Sequence, residues 1–184
     1  SAQDCMEIFI GKTVRSEAAR IQAHTGKPLT DAWMAAFYKR RNVRLEAELQ
    51  AIDGALDAVA AVHARLGGRI ACASGADRYK VEMQLQKVGL APYFAGRVFS
   101  GHEMPATKPA PDVYLAAAAA LGVPPQRCLV VEDTVTGVTA GVAAGATVVG
   151  LCPSPVGHGS PEALRAAGAV QVLAHLRELP ALLG

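Results

Sequence analysis

Charged residues are scarce in this sequence, and the two signs nearly cancel. Asp, Glu, Lys and Arg make up 18% of the 184 residues, and 18 Lys and Arg against 16 Asp and Glu leave a net charge of +2. A chain that binds nucleic acid or a membrane surface through its charge carries a larger positive excess, so we expect neither partner. Hydrophobic residues make up 51% of the chain. This composition excludes an intrinsically disordered protein.

Paired cysteines and long apolar runs are also missing. The four cysteines form neither a CxxC pair nor a cluster with histidine, which argues against a zinc site or a disulfide framework. The longest uncharged stretch, residues 134–161, is broken by prolines, and its apolar part over 138–151 is shorter than the ~20 residues of a membrane span. No charged-then-apolar leader opens the sequence, so a cytoplasmic location is expected.

The sequence divides at Asp53-Gly54, a turn signal. Before it, helix-forming residues fill 14–24 and 31–50, and Thr30 or Asp31 can cap the second helix. After it, short apolar strands alternate with helices. The predicted strands are 69–73, 97–99, 128–131, 146–151 and 169–173. This alternation predicts an α/β fold, a Rossmann-like parallel sheet with helices on both faces.

Residues that directly follow a strand are the candidate functional residues, because ligands bind beyond the carboxyl ends of parallel strands. Ser74 and Gly75 follow the first strand. A hydroxyl, a glycine that lets a ligand approach the backbone, and a nearby helix start together predict a phosphate cradle. An ordinary helix cap by Ser74 or Asp77 is the alternative interpretation.

Two further places carry charge at the same edge of the predicted sheet. Pro109 keeps Lys108 out of helical geometry beside a helix entrance, where its ammonium suits a phosphoryl oxygen, although a solvated surface lysine is the alternative. Glu132 and Asp133 follow a buried strand, and adjacent carboxylates of this kind suit Mg²⁺. A helix cap would account for only one of the two acids. Cradle, cation and metal carboxylates together predict phosphoryl transfer.

These motifs resemble the haloacid dehalogenase superfamily, in its β-phosphoglucomutase-like branch of phosphatases and mutases. Residues 71–75, 108–112 and 130–134 are similar to the second, third and fourth motifs of that family. Residues 99–101 look most like those of 6-phosphogluconate-type sugar phosphatases. The resemblance implies that Ser74 and Lys108 contact the transferring phosphoryl group and that Asp133, helped by Glu132, binds Mg²⁺. It also implies a partial helical cap domain over 1–53 and a Rossmann-like core domain over 54–184.

The first motif of the family, an Asp-x-Asp that ends a strand and supplies the nucleophile and the acid/base, has no counterpart in the sequence. The resemblance places that strand between the strands that end at Ser74 and Glu132. We therefore expect a gap there, with unpaired backbone groups on both neighbours. We expect the nucleophilic aspartate to lie upstream of this chain, and the chain as written to lack covalent catalysis.

Basic residues in the helical part have two interpretations each. Lys12 or Arg15 could meet a substrate carboxylate or second phosphate, or could lie on a solvated helix start. The cluster of Lys39, Arg40, Arg41 and Arg44 is either a solvated helix face or a contact for an anionic substrate or partner.

The function predicted from the sequence is that of a Mg²⁺-dependent phosphatase, a phosphoric monoester hydrolase that forms an aspartyl phosphate. Its expected partner is a small phosphorylated metabolite, a sugar or sugar-acid phosphate, and its expected state is a monomer. A phosphosugar mutase of the β-phosphoglucomutase type is one alternative. A non-catalytic phosphate-binding module is the other.

Overall fold

The structure is a computed structural model that describes residues 14–153 and 159–183. Lys12 lies outside the described residues. The α-helices are α1 (Ala18–Thr25), α2 (Asp31–Glu48), α3 (Ala55–Arg65), α4 (Arg78–Lys87), α5 (Asp112–Ala120), α6 (Val135–Ala143) and α7 (Pro161–Ala166). The strands are β1 (Cys72–Ser74), β2 (Val98–Ser100), β3 (Leu129–Glu132), β4 (Thr147–Leu151) and β5 (Gln171–Leu173).

The strands are all paired in parallel, which confirms the predicted α/β fold. β1 pairs with β2, and Ser74 lies opposite Ser100 at the end of the pair. β3, β4 and β5 form a second sheet in that order, with Glu132 opposite Gly150. The predicted phosphate-cradle serine and the predicted metal carboxylate therefore each stand at the carboxyl end of a strand.

A cleft separates the two sheets. Within residues 14–153 and 159–183, β1 and β3 pair with no common strand. A cavity of about 480 Å³ opens between them, and both strands contribute to its lining together with α3 and α5. Its apolar lining includes Val62, Ala71, Ala73, Ala117, Val130 and Val131. This cleft is the gap that the sequence predicted between the strands ending at Ser74 and Glu132.

Side-chain caps fix where α2, α4, α6 and α7 begin. Thr30 accepts the N–H of Trp33 and starts α2, which selects one of the two predicted capping residues. Asp77 accepts the N–H of Lys80 and starts α4, so Asp77 rather than Ser74 is the cap there. Thr134 caps α6 in the same way. Each cap satisfies an N–H group that the helix itself leaves unpaired.

The core lies between the three-stranded sheet and the helices that cover it. Val113, Val138, Val148 and Leu164 are fully buried in one cluster. At Gly141 of α6, an added Cβ would stand 2.7 Å from Val148 Cγ2 of β4, so the glycine lets this helix pack closely on the sheet. Among the described residues, no helix has both the length and the apolar character needed to cross a membrane.

Candidate active site

Lys108 contacts two strands that lie on opposite sides of the cleft. Its ammonium forms an ion pair with Glu132 Oε1 at the end of β3 and donates to the Ala73 carbonyl of β1 at 3.4 Å. The Lys108 and Glu132 side chains are only 10% and 8% exposed. The Lys108 ammonium is therefore fixed in position beside Ser74. The interpretation of Lys108 as a freely solvated surface lysine is wrong.

Glu132 accepts hydrogen bonds on both of its carboxylate oxygens. Oε1 receives the Lys108 ammonium and the Tyr114 hydroxyl. Oε2 accepts the N–H groups of Asp133 and Thr134 at 3.1 and 3.3 Å, and the Thr134 hydroxyl at 3.1 Å. In this arrangement the Glu132 carboxylate orients Lys108, rather than standing open toward a metal ion as the sequence interpretation had it.

The protonation of Glu132 follows from these contacts. Burial alone raises the pKa of this carboxyl, but the Lys108 charge and the hydrogen bonds from Lys108, Tyr114 and Thr134 outweigh it. The net pKa of Glu132 therefore lies below its usual value. Glu132 is ionised at neutral pH and keeps its charge opposite the Lys108 ammonium.

Tyr114 is a site residue that the sequence analysis missed. Its hydroxyl donates to Glu132 Oε1 and accepts from Lys108 Nζ at 2.8 Å, while the ammonium lies 4.7 Å from the ring centroid. Burial, and then the Glu132 charge, raise the pKa of Tyr114, so the phenol keeps its proton. The one available signal was a tyrosine in the first turn of an alanine-rich helix, six residues after Lys108.

Gly137 makes room for the Glu132 carboxylate. An added Cβ at Gly137 would overlap all three carboxyl atoms of Glu132. Gly141, one turn further along α6, packs closely on Val148 of the sheet. At Gly137 the close approach instead belongs to the candidate site.

The loop that follows β1 is fixed from its β2 side. Ser74 Oγ accepts the N–H of Ala76 at 3.1 Å, and the buried Ser100 hydroxyl donates to the Ala76 carbonyl at 2.6 Å. Gly75 is exposed, and an added Cβ would meet nothing within 4 Å. The Gly75 backbone is thus accessible to a ligand, and Ser74 directly follows the carbonyl that Lys108 contacts.

The other predicted residues fall into two groups. Asp133 directly follows Glu132, is half-buried, and lies close enough that its charge contributes to the raised pKa of Tyr114. Arg15 instead pairs with Asp31 at 3.3 Å, and both side chains are exposed, as its solvated interpretation predicts. The described residues hold no group of three or more His, Cys, Asp or Glu side chains placed to bind a metal ion. The structure therefore brings Ser74, Gly75, Lys108, Glu132 and Asp133 to one end of the cleft and leaves Arg15 on the surface.

The comparison with known families agrees with this geometry. The family model described as a hydrolase, haloacid dehalogenase-like hydrolase, matches residues 2–145, which include every predicted site residue. The chain belongs to the haloacid dehalogenase-like hydrolase family. The resemblance inferred from the three motifs is thereby confirmed.

Two curated relatives are identical to this chain at about a third of the aligned positions. The Escherichia coli 6-phosphogluconate phosphatase is 31% identical over 146 residues, which are 79% of this chain and 62% of that protein. Protein CbbY of Rhodobacter capsulatus is 34% identical over 153 residues, 79% of this chain and 66% of that protein. This chain thus spans less than two thirds of both relatives.

Solved structures of the haloacid dehalogenase-like family confirm the Rossmann-like fold. The crystal structure of a conserved haloacid dehalogenase-like protein of unknown function from Agrobacterium tumefaciens str. C58 is 32% identical and has a TM-score of 0.79. The match covers 100% of this chain and 82% of that one. The fold of this chain therefore matches that of the Agrobacterium tumefaciens protein.

Proposed function

We propose that the protein releases inorganic phosphate from a small sugar phosphate or sugar-acid phosphate. The observation that carries this proposal is the position of Lys108, a nearly buried ammonium held between the ends of β1 and β3 beside Ser74. Catalysis of phosphoryl transfer consists mostly of positioning and charge stabilisation. Lys108 offsets charge on the phosphoryl oxygens, while Ser74 and the accessible backbone at Gly75 orient them.

The two carboxylates at the end of β3 have different roles in this proposal. The Glu132 carboxylate accepts hydrogen bonds from Lys108, Tyr114 and the start of α6. Its role is therefore to position the lysine. Asp133 stands at the same strand end and offers the hard oxygen that suits Mg²⁺. When bound, Mg²⁺ would offset negative charge on the phosphoryl group.

We further propose that the nucleophile is an aspartate outside the printed sequence, on a strand that would occupy the cleft between β1 and β3. The apolar lining of the cleft and the two strands that flank it support this placement. The aspartate oxygen bonds to phosphorus as the bond to the sugar oxygen breaks, and the acid/base aspartate of the same Asp-x-Asp motif donates a proton to that leaving oxygen. Water then hydrolyses the aspartyl phosphate.

The substrate class rests on the relatives, of which one is a 6-phosphogluconate phosphatase. The division into a helical cap over 1–53 and a core over 54–184, the monomeric state and the cytoplasmic location remain predictions. A mutase of the β-phosphoglucomutase type differs from a phosphatase in its product, because it returns the phosphoryl group to a sugar.

The test measures phosphate released by the full-length protein from a panel of sugar and sugar-acid phosphates, with Mg²⁺ and with excess chelator. We expect Mg²⁺-dependent release that Lys108→Ala lowers by at least about a hundredfold, in the range of other lost electrostatic groups. Lys87→Ala, at an exposed position of α4, is the matched control and retains activity. An isomerised hexose phosphate without released phosphate would instead establish the mutase, and phosphate binding without turnover would establish the non-catalytic module.

A further inference from the structure

An ion pair ties α2 to the loop that follows β1. Arg41 Nη2 of α2 lies 3.0 Å from Asp77 Oδ2, and the two side chains are 20% and 30% exposed. The other oxygen of Asp77 accepts the N–H of Lys80 at 3.0 Å and caps α4. One carboxylate therefore joins α2, the end of the 74–77 loop and the start of α4.

The guanidinium of Arg41 is held on its own helix before it meets Asp77. Its Nε and Nη2 donate to Asn42 Oδ1 at 3.0 and 2.8 Å, and it lies 4.7 Å from the centre of the Tyr38 ring. A planar group fixed in this way loses less side-chain entropy when it pairs with a carboxylate. Arg41, one residue of the basic cluster on α2, is therefore neither fully solvated nor available to contact an anionic partner.

Asp77 is charged in this arrangement. Burial raises the pKa of its carboxyl, but the backbone hydrogen bond from Lys80 and the Arg41 charge outweigh burial, so the net pKa lies below the usual value. A second contact between the same helices, from the Tyr79 hydroxyl to Glu46 Oε1 at 3.2 Å, is exposed to solvent. The Arg41–Asp77 pair is the better shielded of the two contacts.

The 74–77 loop is consequently held from two directions. On one side, Ser100 of β2 donates to the Ala76 carbonyl, and Gly101 lies so close that an added Cβ would be 3.4 Å from Gly75 Cα and from the Ser74 carbonyl oxygen. On the other side, Arg41 holds Asp77. The β2 contacts belong to the sheet, whereas the Arg41 contact comes from the helical part that precedes Gly54.

We propose that Arg41 is a positioning residue for phosphate binding. Its ion pair with Asp77 keeps the 74–77 loop, and with it Ser74 and Gly75, in the shape that receives the phosphoryl group. The affinity for phosphate therefore depends on how α2 packs against the 74–77 loop. This inference rests on the proposed function of the Ser74 loop and Lys108.

Two single variants break the ion pair in different ways, and both keep the α4 cap. Arg41→Ala removes the guanidinium. Asp77→Asn removes the charge but retains a good N-cap side chain. Arg41→Lys keeps a positive charge but lacks the planar guanidinium. The double variant Arg41→Ala/Asp77→Asn completes the double-mutant cycle. Arg44→Ala is the matched control, because the partner of Arg44 among the described residues lies in α2 itself, Glu48 at 3.1 Å.

The measurements are amide hydrogen exchange over residues 75–80 and the dissociation constant for inorganic phosphate, at a temperature where every variant is folded. Loss of the pair should speed exchange and weaken phosphate binding by roughly three- to fivefold, as expected of a partly exposed pair. The double variant should lose no more than either single variant. Arg41→Lys should recover part of the affinity, and Arg44→Ala should match the unsubstituted protein.

The outcomes separate the two proposals. Unchanged phosphate affinity in Arg41→Ala and Asp77→Asn, or losses that simply add in the double variant, would overturn the positioning role of Arg41. Failure of the unsubstituted protein to bind phosphate would instead overturn the proposed function of the site. Unchanged exchange over residues 75–80 in both single variants would show that the pair does not hold the loop, and would also overturn the inference.

Discussion

At the scale of single residues, the position in sequence identified the candidate site but not its internal contacts. Ser74, Lys108, Glu132 and Asp133 could be predicted because each comes just after a strand or at a helix entrance. The pairing of Lys108 with Glu132 could not, since it depends on how β1 and β3 are spaced. Tyr114 was missed for the same reason, because a tyrosine in a helix gains a polar role only from its neighbours in space.

Replacement of Glu132 by Gln should expose the role of this buried carboxylate. Removal of one partner from a buried ion pair costs about 3–5 kcal/mol, so we expect the free energy of unfolding at pH 7 to fall by that order. Because the pKa of Glu132 is lowered in the folded state, its stabilisation is complete above its unfolded pKa and is lost as the pH falls through the folded value. Glu132→Gln should therefore lose less further stability on acidification than the unsubstituted protein.

Denaturant unfolding measured from neutral pH down to about pH 3 checks this expectation. Glu48→Gln, at an exposed position of α2, is the control and should stay within about 0.5 kcal/mol of the unsubstituted protein at neutral pH. Parallel stability curves for Glu132→Gln and the unsubstituted protein would contradict the ionised, lysine-paired state of Glu132.

At the scale of elements, the type of each predicted helix and strand was right, but only some of the predicted ends were right. β4 and β5 end at Leu151 and Leu173 as predicted, whereas the other strand ends differ by one to three residues. The first strand was expected over 69–73, but β1 covers Cys72–Ser74. Gly67 and Gly68 have positive φ, and the N–H groups of Arg69 and Ile70 bond back to Leu66 and Gly68, so the chain is still turning there. The ladder with β2 sets where the strand starts, and apolar character alone does not show it. Helix α7 was missed because its six residues are too few to show helical periodicity.

The close packing of α6 against β3 predicts an unusual effect of Gly137→Ala on the free energy of unfolding. In an exposed helix interior, this change stabilises by about 0.5–1 kcal/mol. Here the new methyl group would overlap the Glu132 carboxylate, so we expect a loss of about 1–3 kcal/mol, as for other overpacked sites. Urea unfolding measures the sign directly. Thr139→Ala, on the exposed side of α6, is the control, and a gain in stability for Gly137→Ala would contradict the close approach to Glu132.

At the scale of the whole molecule, the two sheets and the cleft between them give the site its form. The sequence predicted the gap through the family resemblance, since no local pattern reveals how two strands 55 positions apart, at 74 and 129, are placed. Lys108 contacts both sheets across the end of the cleft. The central claim is therefore that Ser74, Lys108 and Asp133 surround one place where an anion and a divalent cation bind together.

Anomalous diffraction from crystals of the full-length protein grown with tungstate and Mn²⁺, as stand-ins for phosphate and Mg²⁺, tests that claim most directly. We predict one tungsten peak within hydrogen-bond distance of Ser74 and Lys108, and a manganese peak on the Asp133 carboxylate in the same pocket. A tungsten site away from Lys108, or manganese bound without Asp133, would contradict the account.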